Sequence, residues 1–277
     1  MRQGARILRI TRAARTGLIV HHGGFRRALV TVSVDDGHLT DLHTADLLAR
    51  YGIRATFYVP ARNPERPVIS ESQIRELAAA FELGGHTMNH VPLNSVPLVR
   101  AWEEVSSGKL WLENVLGRRI TSFCYPRGKY SRRIAATVKK AGFLGARTCF
   151  LNRHDFPADP YSWGVSTQGR DHSRIIQLRH AFLERNFRGA LNFLRIHKST
   201  TDWATHFSYA LDWVQANGGI AHLYFHSWEI AEAGEWDKLE GVLRRIRDQT
   251  DLNRVTNGEL FAMWRRRAHD DRQAAAA

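Results

Sequence analysis

The chain predicts an α/β fold whose strands run parallel, and three observations carry that prediction. Residues 28–34, reading ALVTVSV, are β-branched and uncharged and stop abruptly at Asp35-Asp36-Gly37, the pattern of a strand buried on both faces. Apolar stretches of this kind alternate with segments of helical period along the whole chain. The polar residues suited to chemistry cluster where predicted strands end, which is where barrels and open parallel sheets place their sites.

After the first strand, residues 45–51 read as a helix ended by Gly52, and residues 55–59 return to strand before Pro60. Ser70, with Gln73 three residues on, forms a capping box for a helix over residues 73–81 that stops at Gly84-Gly85. Residues 98–116 are helical, 120–125 form a strand closed by Pro126, 132–140 a helix stopped by Gly142, and 143–148 a short strand. The arginine-rich stretch 171–196 reads as a helical excursion over the surface. Residues 202–214 form a helix ended by Asn217-Gly218-Gly219, and 220–225 a strand that delivers His226. Residues 239–247 give the last long helix before Glu259–Trp264. No fixed repeat or low-complexity linker interrupts the run. One domain is expected over residues 28–267, between a basic N-terminal extension, 1–27, and a C-terminal tail, 268–277.

Composition narrows the class. With 43% hydrophobic and 24% charged residues the chain is neither disordered nor collagen-like, and it has no apolar run long enough for a membrane-spanning helix. Cys124 and Cys149 are too few for a disulfide framework and lack zinc-knuckle spacing; they read as two thiols or a single bridge. The basic N-terminus has no apolar h-region behind it, so a cytoplasmic protein is expected. The net charge is +13, with seven arginines and no carboxylate in residues 1–34. Such a surface suits an anionic lipid, an acidic substrate or nucleic acid. No recognisable nucleic-acid motif is present, so specific nucleic-acid binding is not expected.

Four clusters carry chemistry. Asp35-Asp36-Gly37 sets two carboxylates together at a strand end, a costly pairing that a cation or proton relieves; alone it also reads as an ordinary Asp-Gly turn. His86-Thr-Met-Asn-His90 offers two imidazoles four apart, behind glycines and before Pro92, in a constrained loop; alone these also read as surface histidines. One carboxylate and two imidazoles match the ligand set of a catalytic zinc with a position open for water. Cys124-Tyr125-Pro126-Arg127-Gly128 is a tight turn that exposes backbone N–H groups to a developing oxyanion. His226 closes the late strand His222–His226, where a structural role competes with a catalytic one.

In this order the four clusters resemble the motifs of the polysaccharide deacetylase family, the NodB-homology or carbohydrate esterase family four enzymes, over about residues 28–262. The resemblance implies a distorted (β/α) barrel of the NodB type with parallel strands and one divalent metal, most commonly Zn2+. It puts Asp36, His86 and His90 in the metal-ligand positions, Asp35 in that of the general base, His226 in that of the general acid, and the Arg127 N–H in that of the oxyanion donor. The reaction implied is removal of an N-acetyl or N-formyl group from an amino sugar or carbohydrate, with His226 protonating the departing amine. Tyr125, Trp163 and Trp228 are the aromatic candidates for the sugar pocket.

The sequence departs from the family pattern at two points. Cys124 stands where the family often has an arginine that orients the base, and Arg127, Arg147 and Arg170 are the candidates to replace it. The acidic motif that tunes the acid histidine is reduced to Asp159-Pro-Tyr-Ser-Trp163, which leaves Glu229 as a substitute partner. A cytoplasmic location with a basic face would suit a substrate on an anionic lipid or nucleotide carrier. A second reading is a catalytically weak carbohydrate- or anion-binding protein that keeps the fold. Loss of a metal ligand would favour it, and all three are present.

Overall fold

The computed structural model describes residues 27–276, so the basic extension expected over residues 1–27 lies outside it but for Arg27. The chain opens with β1 (Ala28–Asp35), α1 (Asp41–Arg50), β2 (Ala55–Val59), α2 (Glu71–Ala80), β3 (Glu82–Gly85), α3 (Leu98–Leu116), β4 (Ser122–Cys124), α4 (Arg132–Lys140) and β5 (Gly145–Arg147). A long loop leads to β6 (Thr167–Gln168), α5 (Arg174–Leu183), α6 (Phe187–Arg195), α7 (Trp203–Asn217), β7 (Gly219–His226), α8 (Ser227–Ala233), α9 (Trp236–Asp248), β8 (Asn253–Arg254) and α10 (Asn257–Ala276). Among the described residues no helix is long and apolar enough to cross a membrane.

All strand pairings are parallel, in the order β5-β4-β3-β2-β1-β7-β6, with β8 added beside β1. The segment 163–168 spans the remaining gap. Trp163 bridges to Arg147 of β5, and four residues on, β6 pairs with β7. The result is a parallel (β/α) barrel pulled out of round by strands of two to eight residues, as the sequence leads one to expect.

The period-2 alternation of a strand sorts β1 into two faces. Val30, Val32 and Val34 face outward and join Leu47, Leu211 and Leu243 of the surrounding helices in the main apolar core. The other face points into the barrel and is layered. Leu29 packs at the bottom with Trp163, Ile220 and Phe261. Above it Thr31 donates to Asn257 (2.9 Å), Asn257 donates to the Tyr58 hydroxyl (2.8 Å), and Ser33 bonds His222 (2.9 Å). Asp35 tops the stack. The interior polar groups thus partner one another, which removes most of the cost of burying them.

Three expectations change. The helical stretch 171–196 is two helices, because Asn186 caps α6, accepting from Gly189 N–H (3.0 Å) while its amide donates to the Leu151 carbonyl (2.8 Å). Where only a helix stop was expected at Gly84-Gly85, α2 ends at Ala80 and Glu82–Gly85 form strand β3. Residues 268–276, expected as a tail, continue α10. Both cysteines are free thiols.

Candidate active site at the strand ends

Register brings the first and last motifs together. In the β1–β7 pair Asp35 lies opposite His226. The chain then leaves the sheet with Asp36 at φ 83° and Gly37 at φ 64°. A Cβ on Gly37 would sit 2.8 Å from a Val59 methyl, so both conformation and space demand glycine there. This turn swings the Asp36 carboxylate over the barrel mouth.

β3 delivers His86, and the loop that follows is not helical: Thr87 and His90 both take positive φ, 68° and 53°. The loop is held by Glu104 of α3, a buried carboxylate that accepts from Asn89 N–H (2.8 Å) and the Asn89 amide (2.9 Å), while its carbonyl accepts from Met88 N–H (2.9 Å). Arg100 balances its charge at 2.7 Å. The bend aims both imidazoles at one oxygen. Nε2 of His86 and of His90 lie 3.5 and 3.1 Å from Asp36 Oδ1.

That arrangement fits a divalent cation. Asp36 Oδ1 is buried with no hydrogen-bond partner. One ligand atom from each of Asp36, His86 and His90 falls within 4.8 Å of the others. His86 Nδ1 lies 2.9 Å from the Cys124 carbonyl, which can only accept; the Nδ1–H tautomer follows, leaving the Nε2 lone pair toward Asp36. Burial works to raise the Asp36 pKa, but His86, His90 and the charge of His226 outweigh it and hold the carboxyl far below the usual range. The group is a carboxylate at any working pH.

Asp35 faces a different partner. Arg147 of β5, itself fully buried, hydrogen-bonds Asp35 Oδ2 and lies between the rings of Tyr58 and Tyr224, 5.5 and 4.4 Å from their centroids. The same guanidinium approaches Cys124 Sγ at 2.7 Å. Of the three arginines the sequence offered, Arg147 is therefore the one beside Asp35. Arg127 turns outward to Glu65, and Arg170 pairs with Glu229 at 2.6 Å. Arg127 takes φ 56° in a 3₁₀ turn after β4.

His226 ends β7 with Nδ1 2.8 Å from Glu229 Oε2 and Nε2 3.9 Å from Asp36 Oδ2. Burial opposes its charge, but the Glu229 hydrogen bond and the Asp36 and Asp35 carboxylates prevail and push its pKa up to about 9. Trp228 donates its indole N–H to Asp36 Oδ2 (3.0 Å), with the Arg66 guanidinium 3.5 Å over its ring. Trp228 is thus at the mouth. Tyr125 and Trp163, the other aromatic candidates, are not: Tyr125 donates to the Tyr161 carbonyl within the core, and Trp163 packs on Phe261 at the barrel floor. Both lie at positions where the strand pattern makes core the ordinary outcome. Glu104 and Arg66 had no sequence signal, because neither lies near a motif along the chain.

The fold and this constellation define a parallel barrel of the NodB type with a carboxylate–histidine cluster at its mouth. The comparisons agree: residues 22–146 match the family model described as polysaccharide deacetylase, bearing out the resemblance read from the motifs. The chain is 25% identical over 123 residues to Bacillus subtilis YxkH, whose name places it with the polysaccharide deacetylases; the match covers 43% of this chain and 44% of YxkH. It is 24% identical over 155 residues to the peptidoglycan-N-acetylglucosamine deacetylase of Bacillus cereus, covering 55% and 70% respectively. The match to YxkH thus spans less than half the length of that relative. A solved Mycobacterium smegmatis protein with this fold superimposes at TM-score 0.63 over 87% of this chain and 92% of its own, at 14% identity. That last likeness speaks to fold alone.

Proposed function

We propose that the protein is a divalent-metal-dependent hydrolase that removes an N-acetyl group from an amino sugar or its polymer, releasing acetate and a free amine. The observation that carries this reading is the convergence of Asp36, His86 and His90 on one buried, unpartnered carboxylate oxygen, with a second carboxylate and an imidazole on either side. Asp36, His86 and His90 would hold the cation, and two imidazoles with one carboxylate suit Zn2+. When bound, such an ion supplies Lewis acidity toward the acyl oxygen and lowers the pKa of a water.

The chain's own residues do the rest. Asp35, fixed by Arg147, accepts the proton of the attacking water. The Arg127 N–H, presented by its tight turn, donates to the oxyanion. His226, with Nδ1–H donated to Glu229, presents Nε2–H to the departing nitrogen, which leaves poorly unless protonated. Trp228, at the mouth beside His226 and under the Arg66 guanidinium, is the aromatic group placed to meet the sugar. The reading of a binding protein without catalysis has no observation in its favour, since every ligand position is filled.

The test is metal content and acetate release, wild type beside His86→Ala/His90→Ala, on N-acetylated and N-formylated sugars. About one zinc per chain, lost in the double variant together with acylamide hydrolysis, is the expected result. A wild type that takes up no added divalent metal, or that hydrolyses equally well after the double substitution, overturns the proposal.

A further inference from the structure

The helical pair α5–α6 has its amphipathicity inverted. At 100° per residue, the inward stripe of α5 holds Gln177 and Ala181, and that of α6 holds Gly189 and Phe193. The outward faces carry the large apolar side chains instead: Ile175, Leu178 and Phe182 on α5, and Phe187, Leu191 and Leu194 on α6. Ile175 is 78% exposed, Phe182 70% and Phe187 64%. Six apolar residues on two adjoining helices form a contiguous patch, which soluble surfaces rarely leave bare without a partner.

Charge indicates which partner. Residues 171–200 hold six lysines and arginines against Asp171 and Glu184, and the cations flank the apolar faces. Arg179, Arg185 and Arg195 are exposed and have no carboxylate partner among the described residues. Residues 1–26 carry six arginines and no carboxylate, so covering the patch with them would set like charge against like. Pairing with a second copy of the same basic patch meets the same repulsion. An anionic bilayer meets both features at once: acyl chains take the apolar side chains while arginines extend to the headgroup phosphates.

We infer that the α5–α6 hairpin is an interfacial docking element for anionic lipid bilayers. Its placement beside the site gives the docking a consequence. Arg170, just before the hairpin, pairs with Glu229, the partner of His226. At the hairpin's turn, Glu184 lies in the field of Lys129, next to the Arg127-Gly128 turn. Docking therefore holds the rim of the barrel mouth at the headgroup layer.

Sedimentation with sucrose-loaded vesicles tests this without reference to catalysis, so it stands or falls apart from the proposed hydrolysis. The full chain is expected to pellet with phosphatidylglycerol/phosphatidylcholine vesicles, to pellet poorly with phosphatidylcholine alone, and to be released by salt. Phe182→Ser/Phe187→Ser/Leu191→Ser should abolish pelleting with an unchanged circular dichroism spectrum, since all three side chains are exposed. Arg179→Gln/Arg195→Gln should weaken binding about fivefold per arginine. Three results overturn the inference: no pelleting of the wild type; pelleting retained by the triple variant, which traces binding to another basic surface; or a wild-type dimer that ignores vesicles and becomes a monomer in the triple variant.

Discussion

Arg147 brings a guanidinium to Asp35 from the strand beside Cys124. The family pattern sets an arginine at the position of Cys124 on β4, whereas here the guanidinium arrives from Arg147 on β5, and register explains why this works. Cys124 pairs with Arg147 across the β4–β5 ladder, so a short thiol on one strand leaves room for a long cation on the next. A buried cation that has lost its counter-charge, or a carboxylate that has lost its cation, is destabilised by about 3–5 kcal/mol. Arg147→Ala should therefore both lower the melting temperature and cut kcat. Arg147→Ala/Cys124→Arg should recover part of the activity by returning the charge to the family's strand. A double variant no better than the single one would show that Arg147 does not stand in for that arginine.

Glu229 permits a similar test on the acid. Its hydrogen bond and charge raise the pKa of His226, which must be protonated in the acid role proposed for it. Removing that charge lowers the pKa, so the protonated fraction falls at a lower pH. Glu229→Gln should move the alkaline limb of the kcat profile to lower pH, and an unmoved limb would detach Glu229 from the acid.

At the scale of elements, the histidine loop is set by a helix that follows it in sequence. Glu104 on α3 satisfies Asn89 N–H and its amide, and Gly108, one turn on, lies so close to the loop that a Cβ would stand 2.6 Å from the Thr87 carbonyl carbon. The loop's two left-handed non-glycine residues depend on this support, because such backbone persists only when its surroundings over-determine it. Glu104→Ala should weaken zinc affinity by about 10–100-fold, as loss of groups that orient ligands typically does, measured by competition with a chelator. Affinity within twofold of wild type would show that the loop holds itself.

The same elements show what could be read beforehand. α3 and α4 were legible to their ends because long amphipathic runs closed by Gly117 and Gly142 leave little ambiguity. β3 was not, since four residues ending in two glycines read as punctuation, although the sheet needs them as a strand. That Asp36, His86 and His90 come together was legible from the motifs and the resemblance they carry. The choice among three arginines was not, because which strand lies beside β4 is a fact of topology, and the pocket role of Tyr125 and Trp163 failed because aromatic identity says neither that Tyr125 packs into the main core nor that Trp163 lies at the barrel floor.

On the scale of the whole molecule, buried titratable groups oppose one another and fix where the fold is most stable. His154 and His197 contact each other at 3.1 Å, and burial, with their neighbours' charge, pulls both pKa values down to about 3. His206, stacked on His197, and His222, inside the barrel, are also held well below the ordinary histidine value by burial. Below about pH 6.5, the ordinary histidine value, the unfolded chain binds protons on these four that the fold refuses, so stability falls with acid. Two buried carboxyls act the other way. Burial raises Asp41 well above its usual range and Glu184 to about 7, so the fold keeps protons there that the unfolded chain has released. Between about pH 4.5 and 6.5 four protons favour the unfolded state and at most two the folded one, which leaves stability rising with pH by the linkage relation. Above pH 6.5 the four histidines no longer contribute, while Glu184 holds a proton in the fold alone up to about pH 7 and His226 up to about 9. Stability must then decline as pH rises. The metal-free protein should therefore show its highest melting temperature near pH 6.5, falling on both sides between pH 4.5 and 9; a melting temperature that climbs steadily from 6.5 to 9 would mean that Glu184 and His226 ionise as they do in the unfolded chain.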